Sequence, residues 1–520
     1  MSVELELQVQ NLIRIGTALS SERNIDALLE MIVEESRRFT SADGGTLYVV
    51  SNDGDYLDWK ILHNDTMGTR MGGTSGKPIH LPPVPLVVDR KANTNNVCAA
   101  SASTGESINI PDAYEAEGFD FSGTRNYDEA NNYRSKSFLV VPLRNHEDDI
   151  IGVLQLINAQ ELGTHKVIPF SKSAQDLVTA LASQAAVAIT NAQLIKDLRE
   201  LFDAFIQATA TAIDEKSPYT AGHVRRVADL TMRIAGAINR SDEGEWGSVK
   251  FTTDELDELR VAAWMHDVGK ITTPEHVVDK ATKLETINDR ISLVEARWEV
   301  LKRDSEIEAL KKRLSAEEAQ EAEAEASETI RSLDEDFEFV RESNRGGEFM
   351  ADEQIARLSE LAKLQVEVQG SKEPALSEDE FYNLSIRKGT LTEEERSVIQ
   401  NHAAVSIKIL SQLPFSKTLS HVPEYAGGHH EKLNGEGYPL GLTADQLPLQ
   451  GRVLAVADVF EALTAPDRPY REPMHLSQAM DILRFMVKDG ELDGRIVELF
   501  VSSGVAKAYA EQELKPNQYK

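Results

Sequence analysis

The sequence predicts a multidomain protein, an α+β domain followed by an all-helical domain that carries a long helical insertion. Three observations predict it. A chain of 520 residues exceeds one ordinary core, so two or three domains are expected. Strand-like and helix-like segments mix over the first two hundred residues, whereas from His223 onward the pattern is helical with Gly- and Pro-marked loops. A helix-forming acidic run without large apolar residues, Ala316 to Ala326, then interrupts the second half.

The elements follow in order. Ile25 to Val33 reads as an amphipathic helix. Thr46–Val50 and Tyr56–Ile61 are strand-like and separated by the turn-forming Asn52-Asp53-Gly54. Ser137–Leu143 and Ile150–Ile157 flank a polar turn at Asn145 to Asp149, and a helix starts near Ser173. Residues 10–193 thus form an antiparallel sheet with flanking helices. Leu194, Leu198, Leu201 and Phe205 are spaced four, three and four in a connecting helix, 194–215. That seam suits a two-stranded coiled coil, which would dimerise the chain and carry a signal, or a helix packed on its own domain. The helical domain spans 216–510, and its interruption lies at 284–385. There Ile291, Val294, Trp298 and Leu301 make one seam, and Ile330, Leu333, Phe337 and Val340 another. Long acidic helices projecting from the domain are expected, with a hairpin closing near Asn344-Arg345-Gly346-Gly347. Their charge reads as a solvated face or a partner-binding surface.

Composition narrows the function. The formal charge of −31, from 55 Lys+Arg against 86 Asp+Glu, argues against a general binder of nucleic-acid polymers or anionic membranes. A small phosphate substrate stays open, because a metal cluster and a few cations reverse the field locally. One cysteine, Cys98, excludes an internal disulfide framework and suits a reducing compartment. The N-terminus has neither a basic start nor an apolar block, and the most apolar stretch, Leu177 to Ile189, is too short to cross a bilayer. The expectation is a cytoplasmic protein without a membrane segment.

The chemistry concentrates late in the chain. His429-His430-Glu431 feeds a loop bounded by Gly435, Gly437 and Pro439, and His266-Asp267 stands far upstream. Neutral imidazole and carboxylate are the side chains that hold water-activating Mn, Fe or Zn. His223 falls in the first turn of a helix for which Thr220 is a plausible N-cap. A helix from Asp254 to Met265 delivers His266 and Asp267 at its C-terminal end. Thr392 to Glu395 is a capping box that starts a helix carrying His402. In the helix Gln450 to Leu463, Asp458 stands among the apolar Val453, Val456, Ala457 and Phe460, where an acid needs a partner. His63, His80, His146, His276, His421 and His475 belong to no shared motif and read as surface or core residues.

Two resemblances follow from these residues. Ile110 to Tyr114, Tyr133 to Leu143 and Gly152 to Leu156 resemble the signature of a GAF sensor domain, covering most of 10–193. It implies the fold, and a pocket holding a small molecule or none. The order His223, His266-Asp267-x-Gly269-Lys270, His402, His429-His430-Glu431, Gly437-Tyr438-Pro439, Asp458, Arg468-Pro469-Tyr470-Arg471 resembles the HD-GYP family of bacterial cyclic-dinucleotide phosphodiesterases. This second resemblance covers 200–283 and 386–505. Two positions depart from the family pattern. Tyr219 stands where some members have a glutamate that helps hold a third metal, so two ions are expected. Asn434 replaces a common aspartate outside the ligand set, so activity is expected to survive.

The family resemblance implies Asp267 bridging two divalent ions, Fe or Mn, with Zn, Ni or Mg as alternatives. His223, His266 and Asp458 would serve one ion; His402, His429 and His430 would serve the other. Such a pair activates water for in-line attack on phosphorus. Lys270 would meet a phosphate oxygen, Arg468 and Arg471 would clamp the second phosphate, and Tyr438 would line the substrate site. Glu431 would orient a ligand imidazole through its free N–H. The reaction expected is hydrolysis of cyclic di-GMP to a linear dinucleotide or GMP by a sensor-regulated homodimer. The alternatives are hydrolysis of cyclic GMP-AMP and a catalytically idle cyclic-dinucleotide receptor. A nucleoside-monophosphate phosphohydrolase is disfavoured by the Gly-Tyr-Pro segment.

Overall fold

Strands Ala42–Val50 and Ile150–Gln160, buried on both faces along most of their length, pair at the centre of an eight-stranded antiparallel sheet. The computed structural model describes residues 13–19, 21–22, 24–216, 222–314, 319–347, 349–368, 370–465 and 473–519. It divides into two compact units, Met1–Phe202 and Asp203–Lys520. In the first, the strand order is Thr69–Gly72, Tyr56–Asn64, Ala42–Val50, Ile150–Gln160, Phe138–Arg144, Ile108–Ile110; Val84–Pro85 and Val167–Ile168 pair at the sides. Leu47 opposite Leu154 sets the central register, which a one-residue slip would invert.

That register sorts the two faces. Leu47, Ile61, Leu139, Val141, Leu154 and Leu156 pack on helix Ile25–Thr40 and on the start of helix Lys172–Asp214. Tyr48, Leu57, Phe138, Val140 and Val153 face the other way, onto Val97, Cys98, Ile110 and Phe121. A cavity of about 660 Å³ lies on this second face, lined among others by Trp59, Cys98, Phe121 and Gln155. Cys98 is buried there, its thiol 2.7 Å from Gln155 Oε1 and its pKa pushed up to about 12 by burial.

Helix Lys172–Asp214 is, among the described residues, the one helix long and apolar enough to cross a membrane by length and composition. Its apolar residues are spent otherwise. Val178, Leu181, Ala182, Ala185, Ala186 and Ile189 are buried in the first unit's core. Farther on, Ile206, Ala210 and Ile213 are buried again, whereas Leu194, Leu198, Leu201 and Phe205 are exposed.

The second unit is helical around one main core. Helices His223–Arg240, Thr253–Met265, Leu449–Thr464, Leu476–Lys488, Gly494–Ser502 and Val505–Glu513 contribute Val227, Ile234, Leu259, Val456, Phe460, Leu483, Phe500 and Tyr509 to it. Phe460 meets Phe500 edge-on, with centroids 4.8 Å apart.

The insertion departs from the expectation of bare projecting helices. Helices Ile291–Leu314 and Ala319–Asn344 pack on each other, tied by Lys302 Nζ to Asp334 Oδ1 at 2.8 Å. The hairpin expected to close near Asn344–Gly347 does not close there, because Asn344 is where the second helix ends. Helices Asp352–Leu361 and Glu378–Leu384 and a two-stranded hairpin, Gln365–Val368 with Ser371–Pro374, complete a small fold. Trp298, Leu333, Val340, Leu358, Val366 and Leu384 form its own core. The apolar seams read in the sequence are thus the inner faces of a subdomain, because lone amphipathic helices would leave them wet.

Candidate metal centre

The candidate ligands sit at helix ends, in a short turn and within two helices. Thr252 and Glu255 form a capping box that starts helix Thr253–Met265, which ends by presenting His266 and then Asp267. A second capping box, Thr392 with Glu395, starts helix Glu393–Leu410 and sets His402 two and a half turns in. His223 opens helix His223–Arg240. Thr220 and Tyr219 lie outside the described residues, and the cap position is held by Gly222 in the left-handed conformation. The turn Gly428–His430 carries the paired histidines, and helix Leu449–Thr464 carries Asp458.

These side chains, more than two hundred positions apart in sequence, converge. Asp267 stands between two groups of histidines. Its Oδ2 is 3.4 Å from His223 Nε2 and 3.2 Å from His266 Nε2, while its Oδ1 is 3.3 Å from His402 Nε2 and 3.9 Å from His429 Nε2. Asp458 Oδ1 closes the first group, 3.3 Å from His223 Nε2 and 3.9 Å from His266 Nε2. His430 joins the second, its ring centroid 5.0 Å from that of His402 and 4.0 Å from that of His429. Two sets of donors, His223/His266/Asp267 and His402/His429/His430, each have their ligand atoms within 4.8 Å of one another.

The tautomers point the same way. His266 Nδ1 lies 2.8 Å from the Ala263 carbonyl, His402 Nδ1 lies 2.6 Å from that of Ile399, and His429 Nδ1 meets that of Ala426. A carbonyl only accepts, so each Nδ1 carries the proton and each Nε2 presents a lone pair inward. Among the described residues, His266 Nε2, His402 Nε2, His429 Nε2 and Asp267 Oδ1 are buried without a hydrogen-bond partner. Leaving such atoms unpaired costs about 1–3 kcal/mol each, and a cation would satisfy all four. The residues present therefore fit divalent ions.

The electrostatics separate the two groups: burial lowers the His266 imidazole pKa, but Asp267 and Asp458 more than offset this and raise it. Burial opposes ionisation of Asp267, yet Lys270 and His266 hold its carboxyl well below the usual carboxylate range. Burial pushes His429 well below the ordinary imidazole value and His430 down to about 4, which keeps both neutral and able to ligate. Lys270 is half-buried, with Nζ 2.6 Å from Asp267 Oδ2. Gly269 is needed for this approach, since a Cβ there would stand 1.9 Å from the His402 carbonyl oxygen.

Two expectations change. Glu431 touches no imidazole among its hydrogen bonds. Its Oε1 accepts from Leu440 N–H at 2.7 Å and its Oε2 from Leu442 N–H at 2.8 Å, so it pins the Gly-Tyr-Pro loop. Gly437 lets that loop fold back, since a Cβ would stand 2.3 Å from Lys432 N. The carboxylate that orients a histidine is Glu461, which accepts from His223 Nδ1 and is held by Arg226 Nε at 2.6 Å. Burial pulls the His223 imidazole down, and Glu461 together with Asp267 and Asp458 more than offsets it, so the net shift is upward. A signal for Glu461 existed: it lies three residues after Asp458, on the same helix face. Ser406, which bonds the His266 carbonyl at 2.8 Å and receives Gly269 N–H at 2.9 Å, left no such signal.

The remaining candidates divide. The Tyr438 ring lies tilted by 34° against His430, with centroids 4.7 Å apart, and so borders the centre. Asn434 is exposed and bonds Glu436 N–H within its own loop. Arg468 and Arg471 lie outside the described residues. The histidines set aside are placed elsewhere; His421, for instance, caps onto Glu258.

An antiparallel-sheet domain with a lined cavity, followed by a helical domain with converging imidazoles and carboxylates, defines a sensor-type module joined to a metal-binding helical one. Comparison with known families agrees. Residues 24–189 match the GAF domain, and residues 220–345 and 378–496 each match an HD domain family. The chain thus carries a GAF domain followed by an HD domain, of the HD-GYP type in its paired histidines and Gly-Tyr-Pro segment. It is 43% identical over 288 residues to 3'3'-cGAMP-specific phosphodiesterase 3 of Vibrio cholerae, covering 54% of this chain and 36% of that one. It is 43% identical over 115 residues to 3'3'-cGAMP-specific phosphodiesterase 1 of the same organism, covering 22% and 26%. A probable cyclic di-GMP phosphodiesterase of Vibrio cholerae is 32% identical over 146 residues, covering 25% and 32%. The matches therefore span about a quarter to a third of these relatives' lengths.

Proposed function

We propose that this chain is a metal-dependent phosphodiesterase that hydrolyses cyclic di-GMP under the control of its GAF domain. The observation that carries the reading is Asp267 facing two histidine groups, one with each carboxylate oxygen. Asp267, His223, His266 and Asp458 would hold one ion, and Asp267, His402, His429 and His430 a second. Imidazole and carboxylate donors favour Fe or Mn, with Zn, Ni and Mg as alternatives. Such a pair supplies Lewis acidity and a water of lowered pKa for in-line attack on phosphorus.

The chain's own residues do the rest. Asp267 and Asp458 supply negative charge that the buried site retains. Glu461 holds the Nδ1 proton of His223 and thereby keeps its Nε2 lone pair turned inward. Lys270 sets an ammonium beside Asp267, positioned to meet a phosphoryl oxygen as charge develops. Tyr438 borders the site where a substrate base or ribose would lie, and Arg468 and Arg471 are assigned to the second phosphate.

A second reading, hydrolysis of 3'3'-cGAMP, is favoured by the names of two of the relatives. An idle receptor is disfavoured by the complete set of ligand side chains. The test is turnover by protein loaded anaerobically with Fe(II) or Mn(II), offered each cyclic dinucleotide separately. Faster conversion of cyclic di-GMP to a linear dinucleotide or GMP is expected. Preference for 3'3'-cGAMP would shift the substrate, and binding without product would favour the receptor. Cytoplasmic location and homodimerisation complete the reading. Leu194, Leu198, Leu201 and Phe205 are 56%, 67%, 67% and 63% exposed, a seam that a second copy would cover. A monomer in light scattering at micromolar concentration would remove the dimer.

A further inference from the structure

Just past the end of the connecting helix, the Lys216 ammonium reaches the reactive turn. Lys216, two residues past Asp214, places its Nζ 3.1 Å from the Lys270 carbonyl oxygen, 2.6 Å from that of Ile271 and 2.6 Å from that of Thr273. An ammonium has three N–H donors, and three acceptors surround it. All three carbonyls belong to the turn Val268–Thr272 and the residue that closes it. This turn follows Asp267 directly and carries Lys270.

The opposite side of the turn is held by the helix that bears His402. Gly269 N–H donates to Ser406 Oγ, and Gly269 packs against the His402 carbonyl with no room for a Cβ. Lys270 therefore hangs from a turn gripped on one side by Ser406 and on the other by Lys216. Three further contacts fasten the same helix end. Asp214 Oδ2 accepts from Val224 N–H at 3.3 Å, in the first turn after His223. Asp203 pairs with Arg260 at 2.8 Å, on the helix that delivers His266 and Asp267. Ile206, Ala210 and Ile213 are buried beneath it.

We infer that Lys216 is a positioning residue: by binding the carbonyls of Lys270, Ile271 and Thr273 it sets the Lys270 ammonium against Asp267. The consequence is that any shift of the connecting helix along or about its axis moves Lys270 relative to the metal ligands. The helix then adjusts turnover without touching a ligand. The catalytic part of this inference rests on the phosphodiesterase reading; the mechanical part does not.

The experiment pairs a kinetic cycle with hydrogen exchange on the full-length, metal-loaded protein. Lys216→Met is expected to lower kcat about tenfold to a hundredfold, with bound metal and KM unchanged, and Lys216→Arg to recover part of it. In a Lys270→Ala background, Lys216→Met should cost less than about threefold more, because both changes remove one device. Multiplicative losses in the double variant would overturn the positioning role. Hydrogen exchange at the amides of residues 268–273 needs no activity: faster exchange there in Lys216→Met, with the rest of the helical domain unchanged, supports the clamp. Unchanged exchange at these amides overturns it. Should the parent protein turn over no cyclic dinucleotide, the function proposed above fails, and the exchange result still decides the clamp. Global loss of protection in Lys216→Met would shift the same reading to Lys216→Arg.

Discussion

Two buried clusters in this chain set histidine beside carboxylates, and they are built to opposite ends. In the GAF domain, His63 donates Nδ1–H to Glu34 Oε1 at 2.6 Å and turns Nε2 toward Glu30 at 3.8 Å. Each acid has an arginine: Arg70 reaches Glu34 at 2.9 Å and Glu30 at 3.7 Å, and Arg37 reaches Glu34 at 3.1 Å. Arginines answer the acids there, and one unpaired ring nitrogen, His63 Nε2, remains buried, whereas the other cluster leaves three unpaired Nε2 atoms and Asp267 Oδ1 together. In the HD domain, imidazole lone pairs and two carboxylates converge instead, with Lys270 the ammonium beside Asp267. A buried histidine next to an acid is thus no signature of a metal. Lone pairs pointing at one another are, because only a cation satisfies them all.

That contrast breaks most sharply under truncation. Asp267→Ala or His266→Ala should lower turnover by at least about a thousandfold while far-UV circular dichroism is unchanged. His63→Gln should leave turnover within about twofold and destabilise the GAF domain by about 1–3 kcal/mol, the cost of a lost buried hydrogen bond. The reverse pattern would mean the two clusters have been misread. Next in size is chelation. Removing metal should lower the melting transition of the HD domain alone, by about 2.7 kcal/mol of stability when the free ion had stood at a hundred times its Kd. Calorimetry in which both transitions move, or neither, would count against a metal confined to the second cluster.

Glu461→Gln sharpens the comparison further. It keeps the shape but weakens the grip on His223, and should cost about ten- to a hundredfold in metal affinity or turnover. Glu431→Gln, whose residue pins a loop, should leave metal affinity unchanged, and isothermal titration separates the two. The smallest effect is one of pH. His430 is pushed from 6.5 down to about 4 by burial, so the unfolded chain binds more protons between those values. The metal-free protein should hold this share of its stability above pH 6.5 and lose it as pH falls toward 4. Denaturant titrations at stepped pH check it, and a flat profile would place His430 in water.

Much of the fold was legible because local rules and tertiary packing agree. The capping box read at Thr392 starts the helix that carries His402, and the helix read from Asp254 to Met265 runs Thr253–Met265, started by a further capping box at Thr252. The Asn145–Asp149 turn joins two paired strands as read. The insertion was harder: its seams at Ile291–Leu301 and Ile330–Val340 were visible, but their partners were the short hairpin at Gln365–Pro374 and the helix at Glu378–Leu384. Those are weak signals on their own, and a hairpin of polar strands acquires its place only by being packed upon.

The converging imidazoles and carboxylates could be picked from the residue string because donor chemistry belongs to a side chain wherever it sits. Which acid steadies which imidazole could not. Glu431 adjoins the paired histidines in sequence and faces backbone amides, whereas Glu461, 238 positions from His223, holds its ring. The same holds for Lys216, one of many surface-type lysines until three carbonyls close around it. Supporting contacts of this kind depend on which helix faces meet, and that is settled by the burial of Val227, Leu259, Val456 and Phe460 far from the ligands themselves.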